Sequence, residues 1–190
     1  MGDASIHELF ATLKAFEDAS GALVNPGKTK AVWLGSNVGR KDKPLCLSWT
    51  DKHIKILGLP IGNSIDQNLL VWNAKVASIQ KTLNPWRLSD LSLKGKIIVL
   101  KQLILPKISY PAIIYPPSSR ILTKLTKVFE DFLWNGKRPK IPTKLLQLPV
   151  HQGGLGLPNL DDYVRALALT QVKDLFTTSS THWVNFMLFF

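Results

Sequence analysis

The sequence predicts an α+β fold, mostly helical, in which one helix and a few short strands precede a longer run of helices. Three observations predict it. Apolar residues recur at three- and four-residue steps over 5–20 and again over much of 63–176. Between these stretches lie three short strand-like runs, 29–35, 45–49 and 54–61, bounded by glycine, proline and polar turns. At 190 residues and 45% hydrophobic, the chain is large enough for one ordinary domain or two small ones and is not a disordered or low-complexity sequence.

In the first helix Ile6, Leu9, Phe10, Leu13 and Phe16 share a face, Ser5 with Glu8 matches a capping box, and Gly21 is placed to end it. Asn25-Pro26-Gly27-Lys28 is a turn, the three strand-like runs follow, and Thr50-Asp51-Lys52-His53 separates the last two. Near Asn63 the character changes. Leu69, Trp72, Val76, Ile79 and Leu83 form a narrow helical seam, closed by Pro85. Ser92 is placed to cap a second helix, with Leu93, Ile97, Leu100 and Ile104 along one face. Ile98, Val99, Leu103 and Leu105 make that helix apolar nearly all round, which predicts a central, buried position. Pro106 and Pro111 should kink or break its continuation. After Pro116-Pro117, Ser118 caps a third helix. Its core side is Ile121, Leu122, Leu125, Phe129, Phe132 and Leu133, its polar stripe is Lys124, Lys127 and Asp131, and Gly136 ends it. Residues 137–158 read as mostly extended, a fourth helix runs from near Asn159 to about Phe176, and 177–190 is a tail. The boundaries are therefore 1–62, 63–136, 137–176 and 177–190. A helix with two or three short strands cannot bury both faces in 62 residues, so the first segment is part of something larger or leans on the second.

Charge narrows the function. There are 24 Lys and Arg against 13 Asp and Glu, a net +11, and 101–150 alone carries nine basic and two acidic residues. A basic middle between slightly acidic ends suits a polyanion. The longest unbroken apolar runs, 97–100 and 186–190, are too short to span a bilayer, and Asp3 and Glu8 do not fit a secretory signal. A single cysteine, Cys46, forms no internal disulfide, which fits a reducing compartment.

No chemistry-bearing motif stands out. His7, His53, His151, His182 and Cys46 lack metal-ligand spacing, and the nucleophile-elbow, P-loop and zincin patterns are missing. Gly153-Gly154-Leu155-Gly156 reads as a backbone turn. Glu17-Asp18, Glu130-Asp131 and Asp161-Asp162 are neighbours about 100° apart on a helix, so none converges on a metal. Asp161-Asp162 suits a helix N-terminus, and Glu130-Asp131 reads as solvated. The informative cluster is basic and aromatic. Phe129, Phe132 and Trp134 lead into Asn135-Gly136-Lys137-Arg138-Pro139-Lys140, a helix end opening into a cationic loop suited to a phosphate backbone. Trp134 itself reads as core. Lys28 and Lys30 read equally as solvated surface or as functional.

Five segments carry a family resemblance over roughly residues 5–176. They are Ala19-Ser20-Gly21-Ala22-Leu23-Val24-Asn25-Pro26-Gly27-Lys28-Thr29-Lys30; Ile54-Lys55-Ile56-Leu57-Gly58-Leu59-Pro60-Ile61-Gly62; Leu91-Ser92-Leu93-Lys94-Gly95-Lys96 with Leu105-Pro106-Lys107; Phe132-Leu133-Trp134-Asn135-Gly136; and Gly153-Gly154-Leu155-Gly156-Leu157-Pro158-Asn159-Leu160. In this order they resemble the later palm and the thumb of reverse transcriptases from non-LTR (LINE-type) retrotransposons. The resemblance implies the end of a palm (a helix plus short antiparallel strands) over 1–62 and a helical thumb over 63–136, followed by a post-thumb segment.

Lys28 matches the motif D lysine, which assists pyrophosphate departure. Leu57 and Gly58 stand at the centre of motif E, the primer-grip hairpin. Lys124, Lys127, Lys137, Arg138 and Lys140 are the expected nucleic-acid contacts. The family's catalytic aspartates lie in two motifs upstream, and the chain contains neither. The resemblance thus implies a fragment that holds template–primer without polymerising. Mg2+ belongs to the complete enzyme, with no cofactor or metal held here. Its expected partners are RNA, an RNA–DNA hybrid or DNA, and the fingers and upstream palm of the same polyprotein. No membrane is expected, and the location is intracellular, cytoplasm and nucleus for an active element. The alternatives are a catalytically silent, element-derived nucleic-acid-binding or scaffold protein, and an inert pseudogene product.

Overall fold

The computed structural model describes residues 3–45, 47–63 and 67–177, which are mostly helical with four short strands. The chain divides into two compact units, 1–67 and 68–190. Cys46 and the tail beyond Thr177 lie outside the described residues.

In the first unit, helix α1 (Asp3–Ser20) starts before Ser5, which is therefore an interior residue and not the cap. At its other end Gly21 takes φ 73° and its N–H donates to Glu17 O at 2.8 Å, the left-handed stop that glycine adopts without strain. Strands β1 (Lys30–Ala31) and β2 (Ser48–Trp49) pair in parallel, Lys30 with Ser48 and Ala31 with Trp49. This corrects the antiparallel expectation for these strands. The 29–35 run is cut short because its chain leaves the ladder to build a loop. There Trp33 packs on Trp49 with ring centroids 4.6 Å apart, and Arg40 lies 4.5 Å over Trp33. The two indoles donate to Asp42 O at 3.0 Å and Pro44 O at 3.1 Å, which satisfies their polar ends.

Strands β3 (His53–Ile56) and β4 (Leu59–Gly62) form an antiparallel hairpin, His53 opposite Gly62. The 54–61 run is thus not one strand. It folds back at Leu57 and Gly58, whose φ values of 49° and 88° match the paired positive torsions of a two-residue hairpin turn. Closing the hairpin needs Gly62, where a Cβ would stand 2.2 Å from Lys52 O.

The second unit has one hydrophobic core. Helix α2 (Gln67–Arg87) runs through Pro85, which therefore does not end it. On its seam Trp72, Ile79 and Leu83 are fully buried, Val76 is half-buried and Leu69 is exposed. Trp72 Nε1 donates to Tyr115 O at 2.8 Å.

The next helix is continuous from Leu93 to Ile114, as α3 (Leu93–Val99), a π-helical turn Leu100–Ile104 and α4 (Leu105–Ile114). Ser92 caps it, its Oγ accepting from Gly95 N–H at 3.2 Å. The prolines do not break it. Pro106 lacks an N–H and would crowd the carbonyl four residues back. The helix widens instead, Leu105 N–H bonding Leu100 O five residues earlier. The resulting helix of 22 residues contains an 18-residue stretch of mean hydropathy 1.5, long and apolar enough to cross a membrane, which the unbroken apolar runs did not foretell. Here the helix is central to the core: Ile97, Leu100, Ile104 and Ile108 are buried with Trp72, Leu125 and Phe132. Burial is one-sided, however, since Ile98 is 50% exposed and Ile113 and Ile114 are also exposed.

Helix α5 (Ser119–Trp134) buries Ile121, Leu125, Val128, Phe129, Phe132 and Leu133. Ser118 holds the N-cap position by its backbone, and its hydroxyl makes no capping bond. Helix α6 (Thr143–Gln147) and a 3-10 turn at Val150–Gln152 occupy much of the segment expected to be extended. Gly154 then passes so near the chain that a Cβ would meet Leu148 O at 2.0 Å. Helix α7 (Leu160–Thr177) starts with Asp161 and Asp162 in its first turn, and the Asn159 side chain accepts from Asp161 N–H at 3.1 Å. A 2.6 Å hydrogen bond between Ser109 and Tyr163 ties α7 to α4.

Candidate nucleic-acid interface

The α5 sequence puts its apolar residues on the core side, so Lys124 and Lys127 are left facing water. The helix stops at Trp134 because Asn135 (φ 51°) and Gly136 (φ 73°) both turn left-handed. Gly136 N–H bonds Asp131 O and Lys137 N–H bonds Trp134 O, each at 3.0 Å. The chain then leaves the helix as Lys137, Arg138, Pro139 and Lys140, all exposed. The indole that precedes this loop is not offered to a base. Trp134 is half-buried against the core, and its Nε1, like Arg87 Nε, is buried with no hydrogen-bond partner among the described residues.

Lys127 and Lys137 meet in a groove of ≈ 580 Å³ beside α5, reached also by the start of α7. Lys124, Arg138 and Lys140 do not line it. Glu130, Asp131 and Asp161 do, which corrects the solvated reading of the Glu130-Asp131 pair: both are half-buried, and Glu130 accepts from Thr143 Oγ1 at 3.1 Å. Three carboxylates against two ammonium groups repel a phosphate from the groove floor. A polyanion is therefore better served by Lys124, Arg138 and Lys140, which are exposed and do not line the groove.

One residue that sequence reasoning missed organises this corner. Lys96 is 6% exposed. Its Nζ donates to Phe132 O (3.2 Å), Leu133 O (3.1 Å) and Asn135 Oδ1 (2.8 Å), and it lies 5.6 Å from the Phe132 ring centroid. Burial, and secondarily the Arg87 guanidinium, holds the Lys96 ammonium below the ordinary lysine value. The signal that could have found it is a lysine in the first turn of an apolar helix, in step with the buried Val99 and Leu100, where an ammonium persists only if paired.

In the first unit Lys28 is exposed on the Asn25 turn, where its N–H donates to Asn25 O and Oδ1, both at 3.1 Å. Leu57 is 84% exposed at the hairpin tip, beside Gly58. Among the described residues no group of three or more His, Cys, Asp or Glu stands close enough to hold a metal ion.

No family model matches the chain. Over 178 residues it is 27% identical to the Transposon TX1 uncharacterized 149 kDa protein of Xenopus laevis, a match that covers 90% of this chain. The chain spans only 13% of the length of that relative. The similarity supports a transposon-derived origin.

Proposed function

We propose that the chain is a template–primer-holding region of a LINE-type retrotransposon protein, corresponding to the end of a reverse-transcriptase palm and its thumb. The observation that carries this reading is the run of exposed cations at the end of α5, Lys137, Arg138 and Lys140, on a loop with a defined exit from the helix, with Lys124 exposed earlier on the same helix. Similarity to a transposon protein over 90% of the chain supports it, as does the hairpin turning at Leu57 and Gly58, the shape a primer grip needs. Lys28 keeps its proposed motif D role as an exposed cation on a turn. On this reading nucleic acid is held by phosphate contacts, without base readout. The Mg2+-binding carboxylates of a complete polymerase come from elsewhere in a longer chain.

The test is salt-dependent binding to an RNA–DNA hybrid. Each phosphate contact contributes roughly 0.9 to the slope of log affinity against log salt. Changing Lys137, Arg138 and Lys140 together to Ala should flatten the slope by about 2 to 3 units and weaken binding similarly across sequences. A control triple of Lys14, Lys75 and Lys81 to Ala removes the same charge from α1 and α2. Equal slopes for the two triples would refute the interface. A second reading, a silent element-derived scaffold, is favoured by the mixed charge of the groove, which suits a polypeptide better than a phosphate chain.

A further inference from the structure

The basic loop has an unusual anchor. Most helix ends satisfy their last carbonyls locally, with a left-handed residue or with water. At the end of α5 two of them, Phe132 O and Leu133 O, are taken by an ammonium from a helix 36 and 37 residues earlier in the chain. The same ammonium reaches Asn135 Oδ1 at 2.8 Å, on the residue where the backbone turns left-handed into the loop. Lys96 is itself held. It lies in the first turn of α3, where Ser92 O accepts its N–H at 3.0 Å and Ser92 Oγ accepts that of Gly95. All three ammonium donors therefore point at one place, the exit of α5. The positive charge also sits against the negative end of the α5 dipole.

We propose that Lys96 is a positioning residue for the nucleic-acid interface: a buried clasp that fixes the direction in which Lys137, Arg138 and Lys140 leave α5. It touches no phosphate, because it is 6% exposed with its donors used. This inference rests on the proposed binding role of the loop. Its chemical logic is that a floating loop does not hold its three cations against successive phosphates, so fewer contacts form and fewer counterions are released, and that ordering it on binding costs entropy that a pre-set loop does not lose.

The experiment uses the full chain with Lys96→Met, which keeps the buried length and removes every donor. Asn135→Gly keeps the left-handed turn and deletes one acceptor without touching the core. Amide exchange reads the clasp directly. Gly136 and Lys137 N–H should lose protection on the order of ten-fold or more in Lys96→Met and less in Asn135→Gly, while core amides of α2 keep theirs. Salt-dependent binding to the hybrid reads the consequence: the slope should flatten by about 1 to 3 units in Lys96→Met. Lys81→Met, which removes one exposed charge, should leave it almost unchanged. Lys96→Arg retains cationic donors and should recover part of the slope. Unchanged loop amides and an unchanged slope in both variants would overturn the clasp. If Lys96→Met does not fold, Asn135→Gly decides by the same two readings. If the loop amides are freed but the triple-alanine loop variant binds as wild type, the clasp is supported and the nucleic-acid reading is what fails.

Discussion

A Cβ placed on Gly154 would stand 2.0 Å from Leu148 O and 2.4 Å from its carbonyl carbon. Neither atom belongs to a flexible side chain, so the backbone must move. Gly154→Ala should therefore cost ~1–3 kcal/mol or more, the usual penalty for forcing atoms into a packed site, measured by urea denaturation. Its neighbour Gly153 has open space but φ 81°, so Gly153→Asn should be nearly neutral, since asparagine tolerates that region. Also at this scale, the Arg40 side chain hydrogen-bonds Asp42 and holds its carboxyl below the usual value of 3.8. A depressed carboxylate contributes stability above the unfolded value and loses it as pH falls through the folded one. Asp42→Asn should lower the urea midpoint slightly near neutrality, and the loss should shrink as pH falls through the carboxylate's folded value. A loss that stayed constant as the pH fell would assign the effect to something other than ionisation.

Among the elements, the Leu93–Ile114 helix bears the core. Leu100 is fully buried at the start of its π turn, among Trp72, Ile104 and Phe132. Leu100→Ala should cost ~2–5 kcal/mol, as a large-to-small change in a packed interior. A loss under about 0.5 kcal/mol, the surface value, would show that the helix is not central. The helix tolerates Pro106 because the π turn absorbs the missing N–H, and Lys107 Nζ then reaches Thr82 Oγ1 on α2 at 2.6 Å. Its hydropathy alone reads equally as a membrane span; the buried stripe facing Trp72 and Phe132 accounts for it as a core helix.

For the whole molecule the question is holding against chemistry. Phosphoryl transfer by metal ions needs carboxylates converging on one point. On the proposed holding role no such set is needed: Glu130, Asp131 and Asp161 line a groove with Lys127 and Lys137, and among the described residues no three acids stand close enough to hold a metal ion. The purified chain, given primed RNA, dNTPs and Mg2+, should extend no primer while still binding the hybrid. Extension that survived repurification and vanished on changing Glu130 or Asp131 would reverse that reading.

The sequence by itself determined what is local. Three- and four-residue spacing is a property of a single helix, so the buried faces of α2 and α5 and the role of Ser92 were legible before any contact was known. The cationic loop after Trp134 was legible too, because Asn-Gly ends a helix and lysines keep to water. Tertiary structure decided what depends on partners distant in the chain. Lys96 looked like any lysine until α5 brought its end carbonyls to the ammonium. Pro85 and Pro106 read as breaks because local sterics say so, yet α2 runs on through Pro85 and a π-helical turn absorbs the N–H that Pro106 lacks. The 54–61 run read as one strand from its alternation, which does not mark the turn that Leu57 adopts at φ 49°; the hairpin centred on Leu57 and Gly58 came only from the family resemblance. Lys127 and Glu130 share a groove with Asp161 because α7 folds back beside α5. A residue's periodicity encodes which way it points, and only the assembled core decides what it meets there.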